Sequence, residues 1–235
     1  MVDKSAPRIA GMFDAIADRY DFLNHALSAG IDKRWRVRAI RSLALTGRER
    51  VLDLCTGTAD LAFAAVDATP SAARVVGIDF AGAMLRVARE KIQRRGATGR
   101  VTLVRGDATT IPLADASVDA VTIGFGIRNV DNMPAAFREM HRVMKPGARL
   151  AILEFAVPTL PGFRAFYLWY VRRLLPRIGA ALSRHDGAYN YLPESIDAFE
   201  TPDEFVKILR QAGFSAIVPV RLMLGAVILY TAQRP

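Results

Sequence analysis

The sequence predicts an open α/β fold: a mostly parallel sheet of seven strands, helices on both faces, and an antiparallel strand pair at the C-terminal end. Three observations carry that expectation. Short apolar runs alternate with helical patterns from Val51 to Phe155, as parallel strands joined by crossover helices require. Four of those runs end in small or acidic residues, which gathers four strand ends into one crevice. After a long interruption, Phe214 to Val220 and Ala226 to Thr231 read as two further strands, and a terminal antiparallel pair on a parallel sheet is a mixed arrangement.

Phe13, Ile16, Ala17 and Tyr20 repeat at helical spacing, and Lys33-Arg34-Trp35-Arg36 opens a second helix with Ile40 and Leu43 on its apolar face. These helices precede the first strand, so residues 1–48 are expected to lie over the crevice as a lid. Val51, Leu52 and Leu54 form a strand covered on both faces. It stops in Cys55-Thr56-Gly57-Thr58-Ala59, where nothing is large and the backbone can approach a ligand closely, and Leu61, Ala62, Ala65 and Val66 then share one helical face. Val75 to Asp79 is the second strand, and Met84, Leu85, Val87 and Ala88 belong to the helix after it. Val101 to Val104 is the third strand, followed by Gly106-Asp107-Ala108, and Ala120 to Ile123 is the fourth, running into Gly124-Phe125-Gly126. Met133 to Met144 is a helix with Pro134 in its first turn, Lys145-Pro146-Gly147 is a hard stop, and Arg149 to Phe155 is the fifth strand. Residues 49–155 therefore form the ligand-binding core.

Residues 156–200 break the pattern with an insertion that has its own helix, Gly162 to about Ser183. Phe163, Phe166, Tyr167, Trp169, Tyr170 and Ile178 are interleaved there with Arg164, Arg172, Arg173, Arg177 and Arg184. Aromatics and arginines on one amphipathic helix suit a membrane interface or a greasy substrate, and equally a helix whose apolar face packs on the core. The last segment, 201–235, holds a helix from Pro202 to Ala212 closed by Gly213, then the strand pair. All four segments belong to a single domain, 1–235.

Composition is that of an ordinary globular chain: 51% apolar, 23% charged, without low-complexity tracts. Cys55 is the only cysteine, which excludes a disulfide framework and fits a reducing compartment. The segment Met1 to Gly11 has no apolar core of a secretory signal, and arginines interrupt the best candidate span, so the chain reads as cytoplasmic. A net charge of +9 points to nucleic acid, an anionic membrane surface or an anionic substrate. The arginines are scattered over helices and not set among aromatics on strands, which ranks nucleic acid last. His25, His141 and His185 show no metal-ligand spacing, so no metal is expected.

Two ligands compete for the crevice. A dinucleotide fold wants G-x-G-x-x-G, and only Gly57 of that pattern is present. S-adenosylmethionine (SAM) carries no phosphate, so its turn needs smallness more than glycine amides. Asp79 ends the second strand, where a carboxylate accepts the hydrogen bonds of a ribose diol, and Asp107 with Ala108 is placed for an adenine. An aspartate after a strand is more often a turn former or a cap, yet three such coincidences in order point to a site. The terminal antiparallel pair also favours the methyl donor.

From about Met12 to the C-terminus the chain resembles the class I SAM-dependent C-methyltransferases of menaquinone and ubiquinone biosynthesis. The blocks are Phe13-Asp14-x-Ile16-Ala17-x-x-Tyr20-Asp21-x-x-Asn24, Trp35-Arg36, and Leu52-Asp53-Leu54-Cys55-Thr56-Gly57-Thr58-x-Asp60-Leu61. They continue with Phe125-Gly126-Ile127-Arg128-Asn129, Met144-Lys145-Pro146-Gly147, Leu153-Glu154-Phe155 and Tyr189-x-Tyr191-Leu192-Pro193-x-Ser195. The resemblance implies a class I SAM-dependent methyltransferase fold, with Thr58, Asp79, Asp107 and Ala108 at SAM-binding positions beside Gly57. Gly124 stands where that family usually has serine, and Ala59 replaces the third glycine of the turn, which a negative φ would tolerate.

A quinol ring carbon becomes nucleophilic as a neighbouring hydroxyl gives up its proton, so such an enzyme supplies alignment and a place for phenolate charge. Arg128 is the expected electrostatic stabiliser, Asn129 orients a ring oxygen or a water, and Tyr20 completes the network from the lid. The bland alternatives are an Arg128–Asp131 ion pair, a Tyr20 that only packs, and a His185 that caps a helix instead of acting as a base. The expected function is C-methylation of demethylmenaquinol at the inner membrane face, with the methoxy-polyprenyl-benzoquinol of the ubiquinone route as alternative. A homodimer or a quinone-synthesis complex stays open. The rivals are a methyltransferase for another small molecule, a non-catalytic membrane-associated scaffold, and a dinucleotide oxidoreductase.

Overall fold

The computed structural model describes residues 5–69, 73–175, 177 and 187–235, and the side chains of Ala6 and residues 187–190 are outside that description. Two helices, α1 (Ala6–Leu27) and α2 (Asp32–Ser42), precede β1 (Arg50–Leu54). Then come α3 (Asp60–Ala68), β2 (Arg74–Asp79), α4 (Gly82–Arg94), β3 (Val101–Arg105) and β4 (Val118–Gly124). A 3-10 turn, Ile127–Asn129, leads to α5 (Met133–Val143) and β5 (Met144–Phe155). The insertion holds α6 (Pro161–Trp169), which runs on as a π-helical turn over Tyr170–Leu174, and α7 (Gly187–Asp197). The chain closes with α8 (Pro202–Gln211), β6 (Ser215–Leu222) and β7 (Val227–Gln233).

The seven strands form one sheet in the order β3-β2-β1-β4-β5-β7-β6. β1 pairs in parallel with β2 and β4, whereas β7 runs antiparallel to both β5 and β6. Alternation along each strand splits the apolar residues into two cores. Leu52, Leu54, Ile78, Val121 and Ile123 face Phe137, Met140 and Phe205 of α5 and α8, while Val51, Val75, Ala120 and Leu153 face Trp35, Ile40, Ala62 and Ile92 of α2, α3 and α4. Because both faces are covered, the central strands carry apolar residues on both sides: Val51, Leu52 and Leu54 in β1, and Ala120, Val121 and Ile123 in β4.

Three features differ from the sequence reading. β5 begins at Met144 and not at Arg149: Met144 pairs with Val118, the register shifts, and pairing resumes from Arg149 with Ala120. Lys145-Pro146-Gly147 does stop α5, but it sits in the irregularity of the strand, where Pro146 needs no ladder hydrogen bond and Gly147 takes a φ of 78°. α7 was not expected, because Pro193 lies inside it. The insertion helix changes to π geometry at Tyr170, and Ile178, Ser183 and Arg184 lie outside the described residues.

α1 lies against α4. Ile16 and Ala17 pack on Ala81 and Met84, the Ala83 N–H donates to Asp14 (2.8 Å), and Lys91 pairs with Asp21 (2.6 Å). These contacts set the side of α1 that carries Phe13 and Tyr20 toward the strand ends.

Candidate functional site

β1 lies between β2 and β4, and the chain reverses its direction of progress across the sheet there, so a crevice opens at the strand ends. It consists of two adjoining pockets, both lined by Tyr20, Cys55, Gly57, Gly124 and Phe125. Arg36, Asp53, Thr58 and Asp60 complete the first, and Phe13, Asp79, Gly126 and Asn129 the second.

The backbone around the crevice is sharply turned. Cys55, Gly57, Ala59 and Phe125 all have left-handed φ values, of 55°, 55°, 68° and 59°. The negative φ that would let alanine replace the third glycine without strain is not the one Ala59 takes. The tight return from β1 into α3, in which its N–H donates to the Thr56 carbonyl (2.8 Å), imposes the left-handed form, and its methyl is fully buried. Gly126 is required by close approach: a Cβ there would stand 2.4 Å from the Cβ of Cys55. Gly126→Ala is expected to force the two turns apart and to cost about 1–3 kcal/mol, read as a lower denaturant midpoint together with weaker SAM binding.

Carboxylates dominate the lining. Asp79 is 8% exposed and accepts from the Gly57 N–H (2.8 Å) and the Ala81 N–H (2.9 Å), and burial pushes its pKa up. Asp53 accepts from Thr56 (2.5 Å) and Thr122 (2.7 Å), and burial raises its pKa to about 6. Arg36, the cation of the lining, is already paired with Asp32 and Asp60. Acidic strand ends and a single committed guanidinium oppose a pyrophosphate and suit a ligand of net positive charge. SAM, with a sulfonium and an ammonium against one carboxylate, fits this residue set.

Beyond Phe125 the polar groups are buried and tied to one another. Arg128 is 5% exposed and pairs with Glu154 (2.9 Å), not with Asp131, because the 3-10 turn directs its side chain toward β5. Its Nε donates to Ser195 (3.3 Å), Nη1 also donates to the Phe125 carbonyl, and Nη2 has no partner among the described residues. Glu154 is fully buried and further accepts the N–H groups of Arg128 (3.2 Å) and Phe155 (2.9 Å). Asn129 accepts at Oδ1 from the Tyr191 hydroxyl (3.0 Å), which turns its amide donors the other way. Tyr20 is half-buried at the crevice wall, and burial raises its pKa.

The crevice thus brings together Tyr20, Gly57, Thr58, Asp79, Gly124 and Asn129. The Thr58 hydroxyl is committed to Asp21, with Lys91 beside it, so what it gives the crevice is its place in the turn. Asp107 is exposed and accepts from Thr109 (2.7 and 2.8 Å), and neither it nor the buried Ala108 lines the two cavities. They stand at the next strand end, where the Gly106 N–H bonds the Asp79 carbonyl (3.0 Å). His185 lies outside the described residues.

Sequence spacing missed the convergence of His25, Asp32 and Asp60, whose ligand atoms lie within 4.8 Å of one another. Arg36 and Lys91 already supply the positive charge these carboxylates face. It also missed Glu154, Tyr191 and Ser195 as partners of Arg128 and Asn129. A signal existed for the first: one carboxylate closing the apolar strand Leu150 to Leu153, the same pattern that singled out Asp79.

Known proteins of this kind exist. A protein of Geobacter sp. (strain M21), named ubiquinone/menaquinone biosynthesis C-methyltransferase UbiE, is 42% identical over 233 residues, 99% of this chain and 99% of its own. A protein of Thermus thermophilus named demethylmenaquinone methyltransferase is 43% identical over 224 residues, 95% of this chain and 100% of its own. The crystal structure of a SAM-dependent methyltransferase from Aquifex aeolicus aligns with a TM-score of 0.64 over 85% of this chain and 89% of its own. At 20% identity it speaks for the fold alone, that of class I SAM-dependent methyltransferases. The sequence model of the ubiE/COQ5 methyltransferase family matches residues 1–234, and with relatives this similar over nearly the whole length, the chain belongs to that family.

Proposed function

We propose that this protein methylates a ring carbon of a polyprenylated quinol with SAM as donor, and that demethylmenaquinol is the acceptor. The observation that carries the reading is the state of Arg128: a guanidinium anchored at Nε and Nη1 by Ser195, Phe125 and Glu154, with Nη2 left for a substrate oxygen. The Thermus relative's name, demethylmenaquinone methyltransferase, favours menaquinone over ubiquinone.

When bound, SAM supplies an electrophilic sulfonium methyl. Asp79 would take the ribose diol with its remaining lone pairs, Asp107 and Ala108 the adenine, and the turn from Gly57 with Gly124 would leave room for the rest. A guanidinium is a cation with five N–H donors and no acceptor, so the part of Arg128 is to stabilise phenolate charge as the quinol hydroxyl loses its proton. Asn129, with Oδ1 engaged by Tyr191, presents its amide N–H groups to a ring oxygen or a water. Tyr20 can add a hydroxyl from α1. Because Glu154, Ser195 and Tyr191 already orient these groups, little reorganisation accompanies charge development.

The test is incubation with labelled SAM and two reduced acceptors, demethylmenaquinol and the methoxy-polyprenyl-benzoquinol. Label in the first supports the reading, label only in the second moves the protein to the ubiquinone route, and SAM binding without transfer to either leaves the scaffold reading.

Peripheral membrane contact belongs to the same proposal. Leu160, just before α6, and Phe166 and Trp169 within it are 54%, 58% and 54% exposed, and Arg164 and Arg173 are exposed near them. No helix among the described residues is long and apolar enough to cross a membrane. Aromatics and arginines at one surface suit an anionic bilayer that holds the prenyl tail. Phe166→Ser with Trp169→Ser is expected to lower the partition onto anionic vesicles at least about tenfold in flotation, from the apolar area removed. An unaltered partition would leave α6 without a membrane role.

A further inference from the structure

Tyr167 is 8% exposed, and its hydroxyl has no hydrogen-bond partner among the described residues. Taking a phenolic O–H out of water with nothing in return is unfavourable, and phenylalanine would fill the same space without that cost. Arg100 also has an unpaired Nε, but its Nη2 bonds the Val66 and Thr69 carbonyls. Tyr167 has no such second contact.

The position of the ring gives the hydroxyl a use. α6 and the π-helical turn pack Tyr167 against Val171, Ile196 and Phe155. Phe155 carries the Arg128 guanidinium over its face at 5.4 Å and stacks on Phe125 at 4.5 Å, and Phe125 lines the crevice. Tyr167 is therefore joined to the crevice through one aromatic layer, beside the Arg128–Glu154 pair. Burial pushes its pKa up against the lowering influence of Arg128, so the group stays a protonated donor.

We propose that the Tyr167 hydroxyl binds substrate, donating a hydrogen bond to an oxygen of the aromatic acceptor that Arg128 engages through Nη2. The inference rests on the quinol-methylation reading. A quinol has two ring oxygens on opposite carbons. With Arg128 and Asn129 on one and Tyr167 on the other, the ring cannot rotate in its plane, and one carbon is presented for methylation.

Tyr167→Phe tests this, because it removes the orphan oxygen and nothing else. A donor to substrate predicts an unchanged or higher melting temperature and unchanged SAM affinity by calorimetry. It also predicts that kcat/KM for the quinol falls about tenfold to a hundredfold, with KM rising. Unchanged kcat/KM in an active background would overturn the inference and leave the quinol reading intact. A lower melting temperature would also overturn it, since the hydroxyl would then have a partner within the chain. No transfer by the unsubstituted protein to either quinol would overturn both.

Discussion

Replacing Glu154 by alanine is expected to lower stability by about 3–5 kcal/mol and to abolish methyl transfer. Glu154 is fully buried, Arg128 is 5% exposed, and the two are 2.9 Å apart. Removing the carboxylate leaves a largely buried guanidinium without its counter-charge. It also removes the acceptor of the Arg128 and Phe155 N–H groups, so the 3-10 turn and the end of β5 lose a shared anchor. For a domain of this size the loss corresponds to a fall in melting temperature on the order of 10 °C. Stability and chemistry can be separated with a double variant. Glu154→Leu with Arg128→Met replaces the pair by apolar groups, which is often neutral for a buried pair, and should recover most of the melting temperature but none of the turnover. A melting temperature for Glu154→Ala within about 2 °C of the parent would mean that Arg128 finds another partner, and the anchoring argument would fail.

Asp79→Ala is expected to raise the dissociation constant for SAM about a hundredfold or more. Hydrogen bonds to a charged group are worth about 1.5–3 kcal/mol each, and a ribose diol would make two to this carboxylate. Part of the loss would come from the turn itself, since Asp79 holds the Gly57 and Ala81 N–H groups. Asp79→Asn distinguishes the contributions: the amide keeps an acceptor for one N–H but loses the charge and the second acceptor, so its affinity should fall between the two. Titration calorimetry on the three proteins is the measurement, and parental affinity in Asp79→Ala would remove the ribose role.

Much of the sheet was legible because its signals are local. The runs Val51 to Leu54, Val75 to Ile78 and Ala120 to Ile123 each place apolar residues at successive positions with one exception, Asp53, Gly77 or Thr122, and a strand covered on both faces needs apolar side chains on both sides. Small residues after β1 and a carboxylate after β2 marked the crevice for a similarly local reason, the room and the acceptor that a ligand at a strand end requires. The β7 pairing was accessible too, since two adjacent strands at the end of a parallel sheet close it antiparallel.

Where local rules and tertiary packing conflicted, packing prevailed. Pro193 argues against a helix, yet α7 forms because it places the buried Tyr191, Ser195 and Ile196 on the Arg128 turn and on α6. Ala59 takes the left-handed conformation because the return into α3 imposes it and the buried methyl packs there. Arg128 pairs with Glu154 and not with its near neighbour Asp131, although 26 positions separate the pair along the chain. Such a contact depends on the register of β5 beside β4, which no window of sequence contains. The sequence by itself determined the strands, the crevice at their ends and the residues that give it acidic walls, because periodicity and side-chain size act over a few positions. The tertiary structure alone decided which charges neutralise one another and that, among the described residues, Nη2 of Arg128 and the hydroxyl of Tyr167 are donors without a partner. Those depend on burial and ångström-scale distances between segments that meet only when the chain is folded.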